Sequence, residues 1–413
     1  MCRASWLLTP WAPWAALVSL GAVTTTLLVL SLASSSSSFL QDAAPAYEYD
    51  DSLYSSDVTA PAAAVVPRRG PGYPPVLAYY ISGGRGDSVR MTRLLKAAYH
   101  PRNRYLLHLD AGAGAYERAR LAGHVRASFL EFGNVHVVGK GDPVDGRGAS
   151  AMAAVLHGAS VLMRVGADWD WLVTLAASDY PLVTQDDLLY AFSSVRRGLN
   201  FIDHRMDFDS PQEIVLDQNL LQSTNAEISI SSGQRPKPDA FELFRGSPWT
   251  ILSRAFVEHC VLAPDNLPRT LLMYFSNALN PMEFYFQTVM ANSPHFKNST
   301  VNHSLRLDVP DGPPLPHDAN GNRSRYDALV SSGAAFAGRF GDGSGDEALL
   351  QRIDDEVLRR PLDGVTPGQW CAGSDEEPAS GDDCSVGGDI DVVRQGEAGR
   401  RLASLMAGLI GAG

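Results

Sequence analysis

Short apolar runs alternate with amphipathic segments through the middle of this chain, and that alternation limits the possible folds more than any other feature. Residues 76–81 are an apolar run rich in strand-forming side chains, and the helix predicted after them carries Met91, Leu94 and Leu95 on one face. The pattern recurs with strands at 105–110, 135–138 and 171–177 and a helix at 149–164. Such alternation predicts the α/β fold class with a doubly wound, mainly parallel sheet.

Polar residues follow three of the predicted strands, at 82–88, at Asp110 and at 178–181. Because ligands bind open α/β sheets beyond the carboxyl ends of the strands, these residues are expected around one cleft. Asp110 and Asp179 could bind ligand hydroxyl groups there, or could cap the next helix or turn. The glycines of the first segment do not have dinucleotide-binding spacing, so a nicotinamide or flavin cofactor is not expected.

The N-terminal region has the pattern of a membrane anchor. No charged side chain occurs from Ala4 to Gln41, and residues 11–33 form an apolar run long enough to span a bilayer as a helix. Arg3 lies on its short side, so the positive-inside bias places the N-terminus in the cytosol. The alternative is a cleaved signal peptide ending near Ala33, but the length of the apolar run favours the anchor.

The predicted organisation follows from this anchor and from the low apolar content after it. It comprises a cytosolic tail at 1–10, a transmembrane signal-anchor at 11–33, a disordered lumenal stem at 34–73, one folded domain at 74–405 and a C-terminal tail at 406–413. The formal net charge is -12 over 413 residues. The chain therefore lacks the positive field with which proteins attract nucleic acid, and nucleic acid is not an expected partner.

Glycosylation sites and cysteines in the sequence are relevant if the folded domain is lumenal. Three acceptor sites for N-glycosylation cluster in one polar stretch, at Asn298, Asn302 and Asn322. In the same oxidising compartment Cys371 and Cys384 are expected to form a disulfide, whereas Cys260 is predicted to be a small buried apolar residue.

Several ordered motifs give the chain a family resemblance from residue 75 to residue 402. They include Leu107-His-Leu-Asp110, Ser178-Asp-Tyr-Pro-Leu-Val-Thr, Leu199-Asn-Phe-Ile-Asp-His, Gly246-Ser-Pro-Trp, Asp265-Asn-Leu-Pro-Arg-Thr and Gly368-Gln-Trp-Cys. Together they resemble the core-2/I-branching β-1,6-N-acetylglucosaminyltransferase family, glycosyltransferase family 14, and within it the plant arabinogalactan β-glucuronosyltransferases.

The resemblance implies one GT-A-like catalytic domain in a type II Golgi membrane enzyme. It implies inverting transfer of glucuronic acid from UDP-glucuronic acid to β-galactan side chains of arabinogalactan proteins, with no metal and no other cofactor. Because no single residue identifies the donor, a β-1,6-N-acetylglucosaminyltransferase or a xylosyltransferase of the same fold remains an alternative. A non-catalytic Golgi sugar-binding protein is the alternative from another class.

The family's catalytic base corresponds to Glu283 in Pro281-Met282-Glu283. Inversion requires a carboxylate that takes the proton of the acceptor hydroxyl, and apolar neighbours could raise the pKa of such a group toward the working range. The sequence predicts that Glu283 opens a short helix through Ala291. The structural alternative is a glutamate that only offsets the dipole of that helix.

The family's diphosphate-binding lysine corresponds to Arg339 in Phe336-Ala-Gly-Arg339-Phe340. Arginine keeps the charge that a departing diphosphate requires. A second family arginine has no clear counterpart among His317, Arg323 and Arg325. Asp110 is expected at the donor, and Asp179 and Trp249 at the acceptor, where Trp249 would stack on a sugar ring or belong to the core.

A metal-binding Asp-x-Asp would have to follow a strand, and none does in this sequence. Asp168-Trp-Asp170 precedes its strand, Asp207-Phe-Asp209 lies in a polar connection, and Asp389-Ile-Asp391 lies outside the sheet pattern. The cationic Arg339 is therefore expected to replace the metal at the diphosphate.

The membrane topology can be tested directly. Protease added to intact Golgi vesicles should leave the folded domain undigested, because the anchor places everything after it in the lumen. An immunoblot against the C-terminus measures the protection. Digestion of the domain without detergent would contradict the predicted topology.

Overall fold

The computed structural model describes residues 66–129, 132–145, 148–166, 168–206, 238–262, 264–276, 278, 280–308, 325–371 and 388–411. The predicted cytosolic tail, the anchor and most of the stem lie outside these residues. Within the described ranges, no helix is both long enough and apolar enough to cross a membrane.

The described secondary structure begins at Leu77. In chain order the strands are β1 (Leu77–Gly83), β2 (Arg104–Leu109), β3 (Val135–Val137), β4 (Trp171–Ala176), β5 (Tyr180–Pro181), β6 (Asn200–Phe201), β7 (Ile251–Ser253), β8 (Thr300–Val301), β9 (Arg306–Asp308) and β10 (Phe336–Gly338). The helices are α1 (Ser88–Ala97), α2 (Gly114–Phe129), α3 (Ser150–Val165), α4 (Gln185–Ser193), α5 (Arg254–Leu262), α6 (Asn266–Tyr274), α7 (Tyr285–Asn292), α8 (Arg325–Ser331), α9 (Ser344–Ile353) and α10 (Glu397–Gly411).

The central sheet has the strand order β3-β2-β1-β4-β7-β6-β8. Strands β1 to β4 are parallel, whereas β7 runs antiparallel to both β4 and β6. The predicted α/β class with a mainly parallel sheet is therefore confirmed. The reversal at β7 brings its amino end to the edge where β4 and β6 end, and the Thr174 amide accordingly donates to the carbonyl of Thr250 at 3.3 Å.

Successive side chains of β1 enter two separate hydrophobic layers, as the alternation of a strand requires. Tyr79 packs in the layer that contains residues of α1, and Tyr80 packs in the layer that contains residues of α3. Gly158 of α3 lies so close to the Tyr80 ring that a β-carbon would overlap it. Helices therefore cover both faces of the sheet, and the absence of a side chain at Gly158 allows one of them to approach it closely.

A second sheet of three short strands has the order β5-β10-β9. Strand β10 pairs antiparallel to β5 and parallel to β9. Its strands contain only two or three residues each, too few for a period-2 pattern in the sequence. This sheet places Arg339, immediately after β10, beside the turn that follows β4, because the Phe340 amide donates to the carbonyl of Ser178 at 3.0 Å.

The described structure continues on both sides of the boundaries predicted at 74 and 405, which stay predictions. Before residue 74, Arg69 pairs with Asp170 at 3.2 Å and the carbonyl of Tyr73 accepts from Arg197 at 2.8 Å. At the other end α10 continues to Gly411, with Met406 fully buried one turn after Leu402. Both extensions have a physical cause, namely ion pairing in the first and an apolar helix face in the second.

The two described cysteines have different environments. Cys371 is buried and disulfide-bonded, while its predicted partner Cys384 lies outside the described residues, so that pairing stays a prediction. Cys260 is a free thiol in the core, and burial raises its pKa well above the ordinary value. The sequence prediction that Cys260 is a buried apolar residue is confirmed.

A buried carboxylate joins the turn after β4 to the helices around it. The side chain of Asp354, in the π-helical turn that continues α9, is fully buried. It accepts hydrogen bonds from the Tyr180 hydroxyl at 2.5 Å, from Arg93 Nη2 at 2.8 Å and from Arg360 Nε at 2.9 Å. Asp354 thus holds β5 next to α1 at the edge of the sheet.

Replacing Asp354 should destabilise the domain strongly. Asp354→Asn leaves two guanidinium groups without their buried anion, so the free energy of unfolding should fall by about 3–5 kcal/mol. Denaturant unfolding of the purified domain measures this change. Asp355→Asn is the matched control, because the neighbouring Asp355 is exposed and should change stability by less than about 0.5 kcal/mol. Equal effects of the two substitutions would contradict the assigned role.

Candidate active site

One edge of the central sheet collects the segments that the sequence predicts around a cleft. The carboxyl ends of β1, β2, β4 and β6 meet there, together with the amino end of β7. Residues 82–88, Asp110 and 178–181 all lie at this edge, as the topology of a parallel sheet requires. The predicted cleft therefore has a structural basis in strand order alone.

Asp110 lies between the ends of β1 and β2. Its amide donates to the carbonyl of Gly83 at 3.0 Å, and its carboxylate accepts from the amide of Ala113 at 3.0 Å. Asp110 therefore caps the short 3₁₀ turn Ala111–Ala113, which is the structural role that the sequence left open. Its predicted contact with the donor stays a prediction.

A tyrosine, two histidines and an acid form a hydrogen-bonded group close to the same end of β2. The Tyr80 hydroxyl lies 3.0 Å from Nδ1 of His108, whose Nε2 lies 3.1 Å from the Asp142 amide. His157 Nδ1 lies 3.0 Å from the carboxylate of Asp142. Burial lowers the pKa of His108, and a neutral ring can accept a hydrogen bond from the Asp142 amide. The group fixes the loop after β3 against β2.

Asp179 is buried at the end of β4 and forms an ion pair across the two sheets. Its Oδ1 accepts from Arg306 Nη2 at 2.7 Å, and its Oδ2 accepts from the Ala176 amide at 2.8 Å. The side chains of Asp179 and Arg306 are 0% and 4% exposed. Both carboxylate oxygens are thus engaged within the protein, and the side chain of Asp179 is not exposed to solvent.

Arg306 connects this ion pair to Trp249, since its guanidinium lies 5.3 Å from the centre of the Trp249 ring. Gly338 lies directly against Asp179 and Arg306, and a β-carbon at this position would overlap both side chains. Only glycine therefore allows β10 to approach the ion pair. Trp249 is partly exposed, and the contact with Arg306 fixes its ring at the edge of the sheet.

Arg339 follows Gly338 in the left-handed region, with φ of 73°. Its side chain is 60% exposed and lies 3.9 Å from the carboxylate of Asp308. The short second sheet therefore presents an arginine beside the Ser178–Asp179 turn. That position agrees with the cationic role predicted from the sequence, although the role itself stays a prediction.

Glu283 ends the 3₁₀ turn Pro281–Glu283, and α7 begins two residues later at Tyr285. The helix predicted to open at Glu283 thus starts slightly later. Oε2 of Glu283 accepts a hydrogen bond from Arg245 Nε at 2.8 Å and forms an ion pair with Arg245 Nη2 at 2.7 Å. The side chain is 24% exposed, so the carboxylate can be reached from solvent.

The segment from Arg245 to Trp249 links Glu283 to the Asp179–Arg306 pair. The Gly246 amide donates to the Glu283 carbonyl at 2.8 Å, and Gln287 Nε2 donates to the Ser247 carbonyl at 2.7 Å. Trp249 at the end of the segment lies against Arg306. The structure therefore connects Glu283, Trp249 and Asp179 through one continuous set of contacts.

Both acids of the Asp-x-Asp motif that precedes β4 form ion pairs with arginines. Asp168 pairs with Arg104 at 2.6 Å, and Asp170 pairs with Arg197 at 2.7 Å. Both acids lie at the amino end of β4, opposite the cleft edge, as the sequence predicts. Asp391 pairs with Arg102, and Asp207-Phe-Asp209 lies outside the described residues.

The glycosylation acceptors that the structure describes lie at the surface. Asn298 and Asn302 are exposed, and the side-chain oxygen of Asn302 accepts from the His204 amide at 2.8 Å. Asn322 lies outside the described residues, as do His317 and Arg323. Arg325, the described member of the three basic candidates, pairs with Asp346 at 2.5 Å.

Sequence reasoning missed two arginines that organise this edge. Arg245 immediately precedes the Gly246-Ser-Pro-Trp motif, so its position next to a motif was the available signal. Arg306 had no comparable signal, because it pairs with Asp179 across 127 residues. Contacts of that range depend on the packing of the two sheets and not on local spacing.

Comparison with known proteins identifies related sequences. The family model for the Core-2/I-Branching enzyme matches residues 77–314. Beta-glucuronosyltransferase GlcAT14A of Arabidopsis thaliana is 43% identical over 344 residues, covering 82% of this chain and 76% of that protein. GlcAT14B of the same plant is 42% identical over 341 residues, covering 81% and 77%. Xylosyltransferase 1 of Rattus norvegicus is 31% identical over 226 residues, covering 53% and 26%.

The matched region contains β1 to β9, and with them Asp110, Asp179, Trp249, Glu283 and Arg306 of the site, whereas Gly338 and Arg339 follow it. The similarity to the plant proteins extends over most of both chains. The chain therefore belongs to the Core-2/I-branching enzyme family of glycosyltransferases.

Proposed function

We propose that this enzyme transfers glucuronic acid from UDP-glucuronic acid to β-galactan side chains of arabinogalactan proteins, with inversion and without a metal. The observation that carries the proposal is the position of Glu283, a solvent-accessible carboxylate held at the edge of the sheet where ligands bind. The choice of donor is supported by 42–43% identity to two β-glucuronosyltransferases. Within the α/β class, the proposed fold is GT-A-like.

In the proposed reaction the acceptor hydroxyl attacks the anomeric carbon of the donor from the side opposite the diphosphate. The new carbon–oxygen bond forms as the bond to the diphosphate breaks, and the hydroxyl proton moves to Glu283. UDP leaves with the bonding electrons. A general base in contact with the hydroxyl typically contributes about 10²–10⁴-fold to such a step.

Departure of UDP requires positive charge near the β-phosphate, and Arg339 is the side chain proposed to supply it. It is 60% exposed and lies beside the turn at the end of β4. A guanidinium offers several donors in one plane and matches phosphate oxygens well. The arginine pairs of Asp168 and Asp170 support the proposal that this motif does not hold a metal.

The remaining site residues have proposed roles in binding. Asp110 is proposed to contact the donor from its position between β1 and β2. Trp249 is proposed to stack on the acceptor sugar, because its ring is partly exposed and is fixed by Arg306. Asp179 is proposed to support that ring through Arg306, since its own carboxylate is buried.

The proposed location is the Golgi membrane, with a single anchor and a lumenal catalytic domain. The support is the uncharged N-terminal run and the exposure of Asn298 and Asn302, which a lumenal oligosaccharyltransferase could modify. A disulfide at Cys371 also fits an oxidising compartment.

A xylosyltransferase is the second candidate function, and the similarity to xylosyltransferase 1 is the observation that favours it. That similarity covers 53% of this chain, against 82% for the first plant relative. Glucuronosyl transfer is therefore the better-supported proposal. The two functions differ in donor and can be separated by one assay.

A donor assay on residues 66–413 tests both the donor and the metal. UDP-glucuronic acid should be consumed on a β-galactan acceptor, in the presence of EDTA as well as in manganese, because an arginine replaces the metal at the diphosphate. UDP release reports turnover, and UDP-xylose and UDP-N-acetylglucosamine are the comparison donors. Faster use of either comparison donor would contradict the donor proposal. Loss of turnover in EDTA with recovery in manganese would contradict the metal proposal.

A further inference from the structure

We propose that Arg245 is a positioning residue for the reaction. It immobilises one oxygen of the Glu283 carboxylate and thereby leaves the other oxygen, Oε1, as the atom that receives the acceptor proton. This inference rests on the proposed function, because it assigns an atom to the base of that reaction.

The hydrogen bonds of Glu283 are distributed unequally between its two oxygens. Nε of Arg245 donates to Oε2 at 2.8 Å, and Nη2 forms an ion pair with the same oxygen at 2.7 Å. Oε1 accepts no hydrogen bond from any residue that the structure describes. In a bidentate pair, two guanidinium nitrogens bind different oxygens of the carboxylate. Here both nitrogens contact Oε2, so the carboxylate is oriented while Oε1 stays available.

The position of Arg245 is itself fixed by its backbone. Its amide and carbonyl exchange hydrogen bonds with those of Arg205, at 3.0 Å and 2.8 Å. On the following residue, the Gly246 amide donates to the carbonyl of Glu283 at 2.8 Å. The guanidinium also lies 5.7 Å from the centre of the Phe284 ring. Arginine and glutamate are thus held together through backbone as well as side-chain contacts.

The exposure of the pair distinguishes a role in orientation from a role in stability. Both side chains are 24% exposed, and ion pairs near the surface contribute little to folding. Loss of Arg245 should therefore change folding only slightly. The reaction is more sensitive, because a catalytic group displaced by about 1 Å can lose about 10²-fold in rate.

Arg205 provides a matched control on the same short ladder. It lies directly opposite Arg245 in an antiparallel bridge, so both side chains leave the ladder on the same face. Arg205 is exposed, and within the described ranges its guanidinium makes no hydrogen bond or ion pair. Substitution at Arg205 therefore removes the same charge from nearly the same place without releasing Glu283.

The experiment compares Arg245→Met, Arg245→Lys and Arg205→Met in the domain spanning residues 66–413. Arg245→Met should lower kcat about 10- to 100-fold while KM for the donor changes less than about twofold, because only the base is misoriented. Arg245→Lys should recover part of the loss, since it keeps one charged donor. Arg205→Met should keep kcat within about twofold, and melting temperatures should be similar for all three.

A double-variant comparison then tests whether Arg245 acts through Glu283. Arg245→Met added to Glu283→Gln should lower turnover no further than Glu283→Gln does alone, because residues that act as a unit are not additive. Multiplicative losses would overturn the inference, as would an unchanged kcat in Arg245→Met or an equal loss in Arg205→Met. If Glu283→Gln itself retains turnover, the proposed base fails first, so the two failures can be told apart.

Discussion

The buried ion pair between Asp179 and Arg306 is the interaction on which the geometry of the cleft edge depends. It joins the end of β4 in the central sheet to β9 in the small sheet, with both side chains almost completely excluded from solvent. A buried charge requires a partner of opposite charge. Separation of the two sheets would therefore leave each of these ions without its partner. Gly338 allows β10 to lie against the pair, and Arg339 is placed beside the cleft as a result.

The contacts continue from this pair to the proposed base. Arg306 contacts the Trp249 ring, and the segment from Arg245 to Trp249 in turn contacts Glu283. A surface glutamate without contacts samples several rotamers, and contacts that hold it in one rotamer reduce its conformational entropy. In this structure Glu283 is restrained by its carbonyl and by one carboxylate oxygen. The proposed base is therefore oriented by a framework that begins at a buried ion pair whose two members lie 127 residues apart in the sequence.

Sequence analysis anticipated the elements that repeat locally and missed those that depend on distant contacts. The strands predicted at 105–110 and 171–177 match β2 and β4 to within one residue at each end, because buried parallel strands are continuous apolar runs. Motifs in the sequence point to Glu283, Asp110 and Trp249, whose roles stay predictions. The second sheet was not predicted because its strands are too short to show a period. Arg245 and Arg306 were missed because no local pattern links them to their acidic partners.

The turnover of Glu283→Gln tests the central claim most directly, because glutamine keeps the size of the side chain and removes its basic oxygen. Glu258→Gln is the control, since Glu258 also pairs with an arginine, Arg254 at 2.7 Å, but lies in α5. The account predicts that Glu283→Gln loses about 10²–10⁴-fold in kcat with unchanged melting temperature and UDP affinity, while Glu258→Gln retains turnover. A folded Glu283→Gln enzyme with near wild-type turnover would contradict the account.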